Sequence, residues 1–398
     1  MRTALEIVLW VSIALIVWTQ VGYGLALALL ARILCPGVAG AGRSGRRPAG
    51  AGADPHEGPG WTPRVSLIVA AHDEEAVIAE KVANALALDY PRERLQVIVA
   101  CDGCTDETAA RARKAGADLV LELPRGGKIR AQDAAVERAE GEIVAFSDAN
   151  ALWEPDALRR LVEAFEEPNV GYACGQVRFV QASDGAGATS QEGVYWRYEM
   201  ALRERESRLS SITAGNGAIY ATRRDSYIVV DPIMGHDLSL PFKIVKRGLR
   251  AVYVSQARAS EKMVPSIEGE LARKRRMMSH TWPIVLRGGM LDPRGYTVGY
   301  ALMMISHRVL RYCTPFLHAL ALGANVALVA IGAGPLYIAT LALQGALLAA
   351  AALGARVRAR VLLIARYYVL TTLSPALGLW DWLRHGTAAS WEAAEGTR

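Results

Sequence analysis

The segment from Glu142 to Asn150 joins an apolar run to two oxygen-bearing side chains. Its first part, Ile143–Phe146, is typical of a buried parallel strand. Asp148 and Asn150 follow two residues apart, so in extended chain both side chains point the same way. Such oxygen ligands suit a hard divalent cation that also holds phosphates. An Asp-x-Asn turn also arises by chance, so its meaning depends on the other strand ends.

Charged groups also follow three other predicted strands. Asp73 and Glu75 follow the first of these strands, and Asp102 follows the second. Arg125–Lys128 carries two glycines and a lysine before a predicted helix, where backbone and charge favour an anion. Each group has an ordinary alternative as a helix cap or a solvated turn. Because parallel strands end at one edge of a sheet, four such ends together indicate a nucleotide site.

The elements that position these groups alternate between strand and helix. Predicted strands cover residues 65–70, 95–100, 118–121, 142–146, 171–180 and 218–221, and predicted helices cover 75–88, 105–115, 128–139 and 188–209. This alternation predicts an α/β domain with a mostly parallel sheet and helices on both faces.

Long apolar segments on both sides of this domain predict a multi-pass protein of the cell membrane. The predicted organisation is an N-terminal transmembrane helix (1–35), a Gly/Ala/Pro-rich linker (36–60), the α/β domain (61–260), amphipathic interfacial helices (261–312), C-terminal transmembrane helices (313–384) and a tail (385–398). The number of C-terminal spans is either two or three, because Arg366 lies within the last apolar segment and a charged residue is costly inside a membrane. The arginines that follow the first span predict a cytoplasmic α/β domain. An uncleaved export signal is the alternative for that first segment.

Composition narrows the classes of partner and site. The net charge is +6, but the basic residues cluster beside apolar segments, which favours membrane lipids over nucleic acid as the partner. The five cysteines are scattered and form no disulfide framework. Cys101 and Cys104 form a C-x-x-C without a second pair, so we expect no zinc site and no redox role there.

The segments 65–75, 101–106, 125–128 and 146–150, in this order and spacing, resemble the family 2 glycosyltransferases. These enzymes have the GT-A fold and use nucleotide-diphosphate sugars. The resemblance covers roughly residues 61–290, and the flanking apolar segments look like those of membrane-integrated polysaccharide synthases.

The resemblance implies a role for each matching position. The residues that match the nucleotide-sugar site are Ala71, Asp73, Glu75, Asp102, Lys128 and Asp148. Asp148 and Asn150 match the metal-binding D-x-D, which implies Mg²⁺ or Mn²⁺ as the cofactor. Asn150 replaces the second aspartate; its carboxamide still offers an oxygen but weakens the hold on a cation.

Asp237 matches the catalytic base of the family. A base is needed because the acceptor hydroxyl loses a proton as the new bond forms. His236 stands where the family has an acidic residue, so it could tune the base, contact the acceptor or simply begin a helix. Asn216 and Gly217 belong to the segment 213–220, which resembles the acceptor-side loop of the family.

The Gln-x-x-Arg-Trp motif of processive members is absent from the sequence, which counts against a cellulose- or hyaluronan-type synthase. The corresponding stretch carries Arg273, Arg276 and Trp282, which would meet the diphosphate or the acceptor. Binding of lipid headgroups is an equal alternative for the two arginines.

The expected function is inverting, metal-dependent transfer of a sugar from a nucleotide-diphosphate sugar, with a UDP-sugar as the expected donor. The acceptor would be an envelope polysaccharide or a glycolipid at the cytoplasmic membrane face. One alternative is the same chemistry on a polyprenyl phosphate. Another is a non-catalytic nucleotide-sugar-binding scaffold, suggested by Asn150, His236 and the missing motif. A transporter is less favoured, because three or four spans without a repeat are few.

Overall fold

The computed structural model describes residues 1–35, 61–180, 189–262, 267–357 and 359–389. The predicted linker (36–60) and most of the predicted tail (385–398) lie outside these ranges.

The first helical segment is long and apolar. It consists of α1 (Arg2–Val17) and α2 (Tyr23–Leu34), joined by a π turn over Trp18–Gly22. Together they make a helix of 33 residues that is apolar enough to cross a membrane. Helix α2 packs against the helix Thr189–Leu209 of the α/β domain.

Strands and helices alternate through the α/β domain, as the sequence predicts. The strands are β1 (Val65–Ala71), β2 (Leu95–Asp102), β3 (Leu119–Leu123), β4 (Ile143–Asp148), β5 (Leu152–Trp153), β6 (Val170–Val180), β7 (Tyr220–Arg223) and β8 (Arg250–Lys262). The helices are α3 (Ile78–Leu86), α4 (Thr108–Lys114), α5 (Lys128–Glu137), α6 (Ala157–Glu163), α7 (Thr189–Leu209) and α8 (His236–Lys246).

The eight strands form one sheet in the order β3-β2-β1-β4-β7-β6-β8-β5. Strands β1 to β4 are mutually parallel, and every residue of β1 is buried because helices cover both faces. The chain order reverses at β1, which has β2 on one side and β4 on the other. Such a switch point opens a crevice at the carboxyl ends of the strands. Ala71, Asp102 and Asp148 all end strands at this edge.

The far half of the sheet is mixed. Strands β4 and β7, β6 and β7, and β5 and β8 pair antiparallel, whereas β6 and β8 pair parallel. The sequence predicts neither β5 nor β8, since β5 has two residues and β8 continues past Val254, where its pattern becomes polar. A mostly parallel α/β sheet is confirmed, with an antiparallel component that the sequence does not reveal.

Five helices follow the sheet: α9 (Ile267–Leu286), α10 (Val298–Met304), α11 (Leu310–Ala330), α12 (Pro335–Leu353) and α13 (Arg360–His385). A π turn over Ile305–Val309 joins α10 to α11. Among the described residues, four helical segments are long and apolar enough to span a membrane: Arg2–Leu34, Val298–Ala330, Pro335–Leu353 and Arg360–His385.

The predicted boundary between interfacial and spanning helices, at residues 312 and 313, falls inside the continuous helix Val298–Ala330. The sequence suggested a break because His307, Arg308 and Arg311 interrupt the apolar pattern. All three side chains are instead largely buried against the α/β domain. At 1.5 Å per residue the helix is about 50 Å long, longer than a ~30 Å hydrocarbon core.

A buried polar network joins the membrane helices to the α/β domain. The carboxylate of Glu206 on α7 lies 2.6 Å from His307 Nδ1 and accepts a 2.6 Å hydrogen bond from Tyr23. It also accepts a bond from the backbone N–H of Thr213, and the Thr213 hydroxyl accepts one from Arg308 Nε at 2.9 Å. Thr213 begins the predicted acceptor-side loop, so this network fixes that loop to two of the candidate membrane helices.

We expect Glu206→Ala to destabilise the protein by about 3–5 kcal/mol, because the buried Tyr23 hydroxyl, His307 Nδ1 and Thr213 N–H would all lose the carboxylate they share. Thermal unfolding in detergent micelles measures the effect. Glu204→Ala is the matched control, since Glu204 on the same helix pairs with Arg208 at the surface and its loss should cost at most about 1 kcal/mol. Equal shifts in Tm for the two variants would contradict the role of the network.

Candidate active site

An ion pair between Lys128 and Asp148 lies at the centre of the carboxyl edge. It joins the first residue of α5 to the last residue of β4, and about a quarter of each side chain is exposed. Burial is the largest single influence on Lys128 and lowers its pKa, but the combined effects of Asp148, Asp237 and Glu261 outweigh it, so the pKa is raised above its ordinary value. Asp237 and Glu261 also act on Lys128 electrostatically. The predicted lysine, metal-binding and base positions therefore share one region.

The glycines before α5 are held by Asp102. Its carboxylate accepts hydrogen bonds from the backbone N–H groups of Gly126, at 2.6 Å, and Gly127, at 3.0 Å. The φ of Gly127 is 94°, which side-chain-bearing residues rarely adopt. The buried Asp102 thus fixes the loop that presents Lys128. Its predicted contact with a nucleobase stays a prediction.

The residues after β1 form a second wall of the crevice. Asp73 has a φ of 48°, rare for a residue other than glycine, and its carboxylate accepts a 2.8 Å bond from the Thr105 N–H. The Glu75 carboxylate accepts a bond from the Glu107 N–H before α4. Ala71 is buried at the strand end. The structure therefore brings the first-strand and second-strand residues together, as predicted.

The acceptor-side loop connects the ion pair to the predicted base. The Gly215 N–H donates to the backbone carbonyl of Asp237 at 2.7 Å. Asn216 holds the loop internally, since its side chain bonds the Gly175 carbonyl and the Ile219 N–H. A Cβ on Gly217 would lie 3.4 Å from Lys128 Nζ and 3.9 Å from an Asp148 oxygen. The loop backbone therefore passes directly beside the ion pair.

His236 lies in the core beneath this edge. Its Nδ1 is 2.9 Å from the Tyr220 hydroxyl and its Nε2 is 3.2 Å from the Tyr227 hydroxyl. Burial, with a smaller effect from Lys128, lowers the pKa of His236 to about 3, so the ring is neutral. Both nitrogens are engaged away from the crevice. Among the roles that the sequence left open, this geometry favours fixing the start of α8, on which Asp237 lies.

Three residues of α9 are predicted to contact the diphosphate or the acceptor: Arg273, Arg276 and Trp282. The Trp282 ring is buried, and its N–H donates to the Pro375 carbonyl of α13 at 2.8 Å, so it ties two helices together. Arg273 pairs with Glu270 at 2.7 Å. Arg276 lines a cavity of about 380 Å³ between α9 and α13. The site roles of all three stay predictions, although Trp282 has an evident packing role.

Two charged residues of this region, Lys81 and Glu261, are not among the site residues predicted from the sequence. Lys81 on α3 is fully buried and donates to the Ala151 carbonyl at 2.6 Å; burial lowers its pKa to about 7. Glu261, near the end of β8, has its pKa raised to about 7 by burial and then by the charge of Asp148. A lysine among the apolar positions of α3 was a visible signal. Glu261 gave no such signal, because the sequence does not predict β8, the strand on which this residue lies.

The donor set at the edge fits a hard divalent cation. Asp148 offers a partly exposed carboxylate and Asn150 a carboxamide oxygen two residues on. Asp148 already meets an ammonium group in the structure, which shows that the carboxylate is accessible to positive charge. Oxygen ligands of this type are those that Mg²⁺ and Mn²⁺ prefer.

Comparison with known proteins identifies the family to which the chain belongs. The sequence profile of the family described as "Glycosyltransferase like family 2" matches residues 63–279, more than half of the chain. The chain belongs to this family. The predicted resemblance is thereby confirmed, and the matched range contains every strand-end group and Asp237.

Individual relatives of this glycosyltransferase share parts of the sequence. It is 34% identical over 165 residues to a beta-monoglucosyldiacylglycerol synthase of Synechocystis sp., covering 39% of this chain and 33% of the relative. It is 27% identical over 218 residues to an N-acetylglucosaminyltransferase of Azorhizobium caulinodans, covering 49% of this chain and 54% of the relative. The chain therefore matches about a third to a half of the length of these relatives.

A solved structure extends the likeness to the whole fold. Mannosyltransferase PcManGT from Pyrobaculum calidifontis, in complex with GDP-Man and Mn²⁺, superposes with a TM-score of 0.67, covering 95% of this chain and 99% of that chain. At 23% identity this likeness concerns the fold. It confirms the GT-A architecture with helical extensions.

We expect Gly235→Ala to slow sugar transfer with little loss of stability. A Cβ there would lie 2.6 Å from Asp237 Oδ1, and the mobile end of that side chain would move aside. Initial transfer rates and Tm measure the two effects. Gly299→Ala is the control, because its Cβ would meet nothing within 4 Å. An unchanged rate in Gly235→Ala would mean that the position of the Asp237 carboxylate is unimportant.

Proposed function

We propose that this protein is an inverting, divalent-cation-dependent transferase that moves a sugar from a nucleotide-diphosphate sugar, with UDP as the expected nucleotide. The acceptor is a glycolipid or a growing envelope glycan at the cytoplasmic face of the membrane. The observation that carries the proposal is the meeting of Asp148, Lys128 and the Asp237 helix at one edge of the sheet.

The donor diphosphate would lie at the start of α5. Lys128 supplies a positive charge there, and the first turn of the helix adds its dipole. Asp148 and Asn150 would hold Mg²⁺ or Mn²⁺, which supplies charge stabilisation to the leaving diphosphate. Asp73, Glu75 and Ala71 would line the nucleoside part of the crevice.

Asp237 would accept the proton of the acceptor hydroxyl as that oxygen attacks the sugar carbon. Attack opposite the leaving diphosphate inverts the configuration at that carbon. The backbone of Asp237 is fixed by the Gly215 N–H, so the loop beside the ion pair also sets the position of the base. Proton removal by a positioned carboxylate contributes about 10²–10⁴-fold to such a rate.

Two observations support an amphiphilic acceptor. The cavity between α9 and α13 is lined by Leu271, Leu377, Arg276 and the ion pair Arg275–Asp381, so it offers apolar surface together with the guanidinium of Arg276. The relative from Synechocystis bears the name of a diacylglycerol glycolipid synthase. The guanidinium of Arg276 beside apolar surface would also suit a polyprenyl phosphate, which is the second candidate acceptor.

We expect Asp237→Asn to reduce the transfer rate by about 10²–10⁴-fold while nucleotide binding is retained, because the carboxamide accepts no proton. Transfer from radiolabelled nucleotide sugars to membrane lipid extract, with nucleotide affinity measured in parallel, tests this. Asp225→Asn, at an exposed position, is the control. Wild-type transfer by Asp237→Asn would show that another group is the base.

The product separates the acceptor classes. For a glycolipid acceptor, the purified protein in lipid nanodiscs should yield an organic-soluble product whose mass exceeds that of the acceptor lipid by one or a few sugars. Mass spectrometry of the extracted product measures this. A product with the sugar attached to a polyprenyl phosphate would support the second candidate acceptor instead of the glycolipid. A long water-soluble polymer would contradict both lipid acceptors.

A further inference from the structure

The cation site has one carboxylate fewer than its family resemblance implies. Asn150 is neutral, so within the turn Asp148 alone would face a divalent ion with negative charge. Two ammonium groups lie near the same carboxylate: Lys128 contacts it, and the buried Lys81 interacts with it electrostatically. A divalent cation here would be held weakly unless another carboxylate approached.

The sheet brings a second carboxylate to this turn. Strand β5 pairs antiparallel with β8 through Leu152–Ser260 and Trp153–Ala259. The same register, continued by one residue, sets Glu261 opposite Ala151. Neighbouring strands lie only ~5 Å apart, and Ala151 N–H donates to the Asp148 carbonyl at 3.2 Å. Glu261 therefore extends from the strand that borders the Asp148–Asn150 turn.

The surroundings of Glu261 indicate where its carboxylate points. It interacts electrostatically with Asp148, Lys128, Arg273 and Lys81. Lys128 interacts in turn with Asp148, Asp237 and Glu261. The carboxylates of Glu261 and Asp148 therefore lie within electrostatic range of each other and of Lys128.

We propose that Glu261 is a ligand of the divalent cation together with Asp148, and that it supplies the negative charge that Asn150 lacks. This inference rests on the proposed function, since it assumes the cation of the donor site. Lys81 is a positioning residue in this arrangement: its ammonium donates to the Ala151 carbonyl at 2.6 Å and interacts electrostatically with both carboxylates. Two carboxylates and one carboxamide make a hard oxygen donor set on two separate strands.

The competing explanation is that Glu261 only balances the charge of Lys81. Both explanations give Glu261 a role in stability, but only the ligand role affects cation affinity. The measurement must therefore be cation binding itself, with folding followed separately.

We would titrate the full-length protein in nanodiscs with Mn²⁺, alone and with UDP, and follow free Mn²⁺ by electron paramagnetic resonance. Glu261→Gln should weaken Mn²⁺ binding about tenfold or more, in line with the loss of one ligand. Asn150→Asp should tighten it, and the double variant should return towards wild type. Glu154→Gln is the control, because Glu154 continues the same strand pair but bonds Arg178 at the surface.

A wild-type Mn²⁺ affinity in Glu261→Gln, with or without a lower Tm, would overturn the proposal. Should that variant fail to fold, Glu261→Asp keeps the charge beside Lys81 but withdraws the carboxylate by about 1.5 Å. It should still bind Mn²⁺ more weakly at an unchanged Tm, and wild-type affinity would again overturn the ligand role. The variant Asp148→Asn distinguishes a failure of this inference from a failure of the proposed function. If Asp148→Asn also left Mn²⁺ binding unchanged, the proposed donor site would be wrong.

Discussion

The ion pair between Lys128 and Asp148 is the contact on which the rest of the site depends. It closes the crevice at the switch point of the sheet, where β4 ends and α5 begins. Without the lysine, the carboxylate at the end of β4 would lose its contacting countercharge and keep only the electrostatic influence of Lys81. Without the aspartate, Lys128 would lose its ion pair and keep only the electrostatic influence of Asp237 and Glu261. A site of this kind is prepared for a ligand that brings both a cation and an anion, as a metal-bound diphosphate does.

A second constraint reaches the site from the membrane side. Glu206, His307 and Arg308 fix Thr213, and two residues further on Gly215 holds the backbone of Asp237. The helix Val298–Ala330, which supplies His307 and Arg308, is also a candidate span. The backbone of Asp237, the predicted base, is therefore connected through this network to helices that are long and apolar enough to span a membrane. This network is a physical link between the α/β domain and the candidate membrane segments.

The sequence predicted the parallel half of the sheet because its strands are continuous apolar runs with charged ends. It also placed Asp73, Asp102, Lys128 and Asp148 at one edge, which the parallel strands require. It could not predict β8, because polar residues in the second half of this strand obscure the alternation of apolar and polar positions. Glu261, which lies on β8, was therefore not predicted as a site residue. Contacts made across the fold were equally hidden: His236 bonds two tyrosines in the core, and Trp282 bonds α13. Which side chain faces the crevice depends on packing partners far apart in sequence.

The central claim is that the carboxyl edge between β1 and β4 binds the donor, with the cation on Asp148 and the diphosphate at Lys128. The most direct measurement is an experimental structure of the protein with Mn²⁺ and a non-transferable nucleotide-diphosphate sugar. The account predicts metal density bonded to the Asp148 carboxylate, a diphosphate within hydrogen-bonding distance of Lys128 Nζ, and the sugar facing Asp237. A nucleotide bound elsewhere, or a metal that does not touch Asp148, would contradict it.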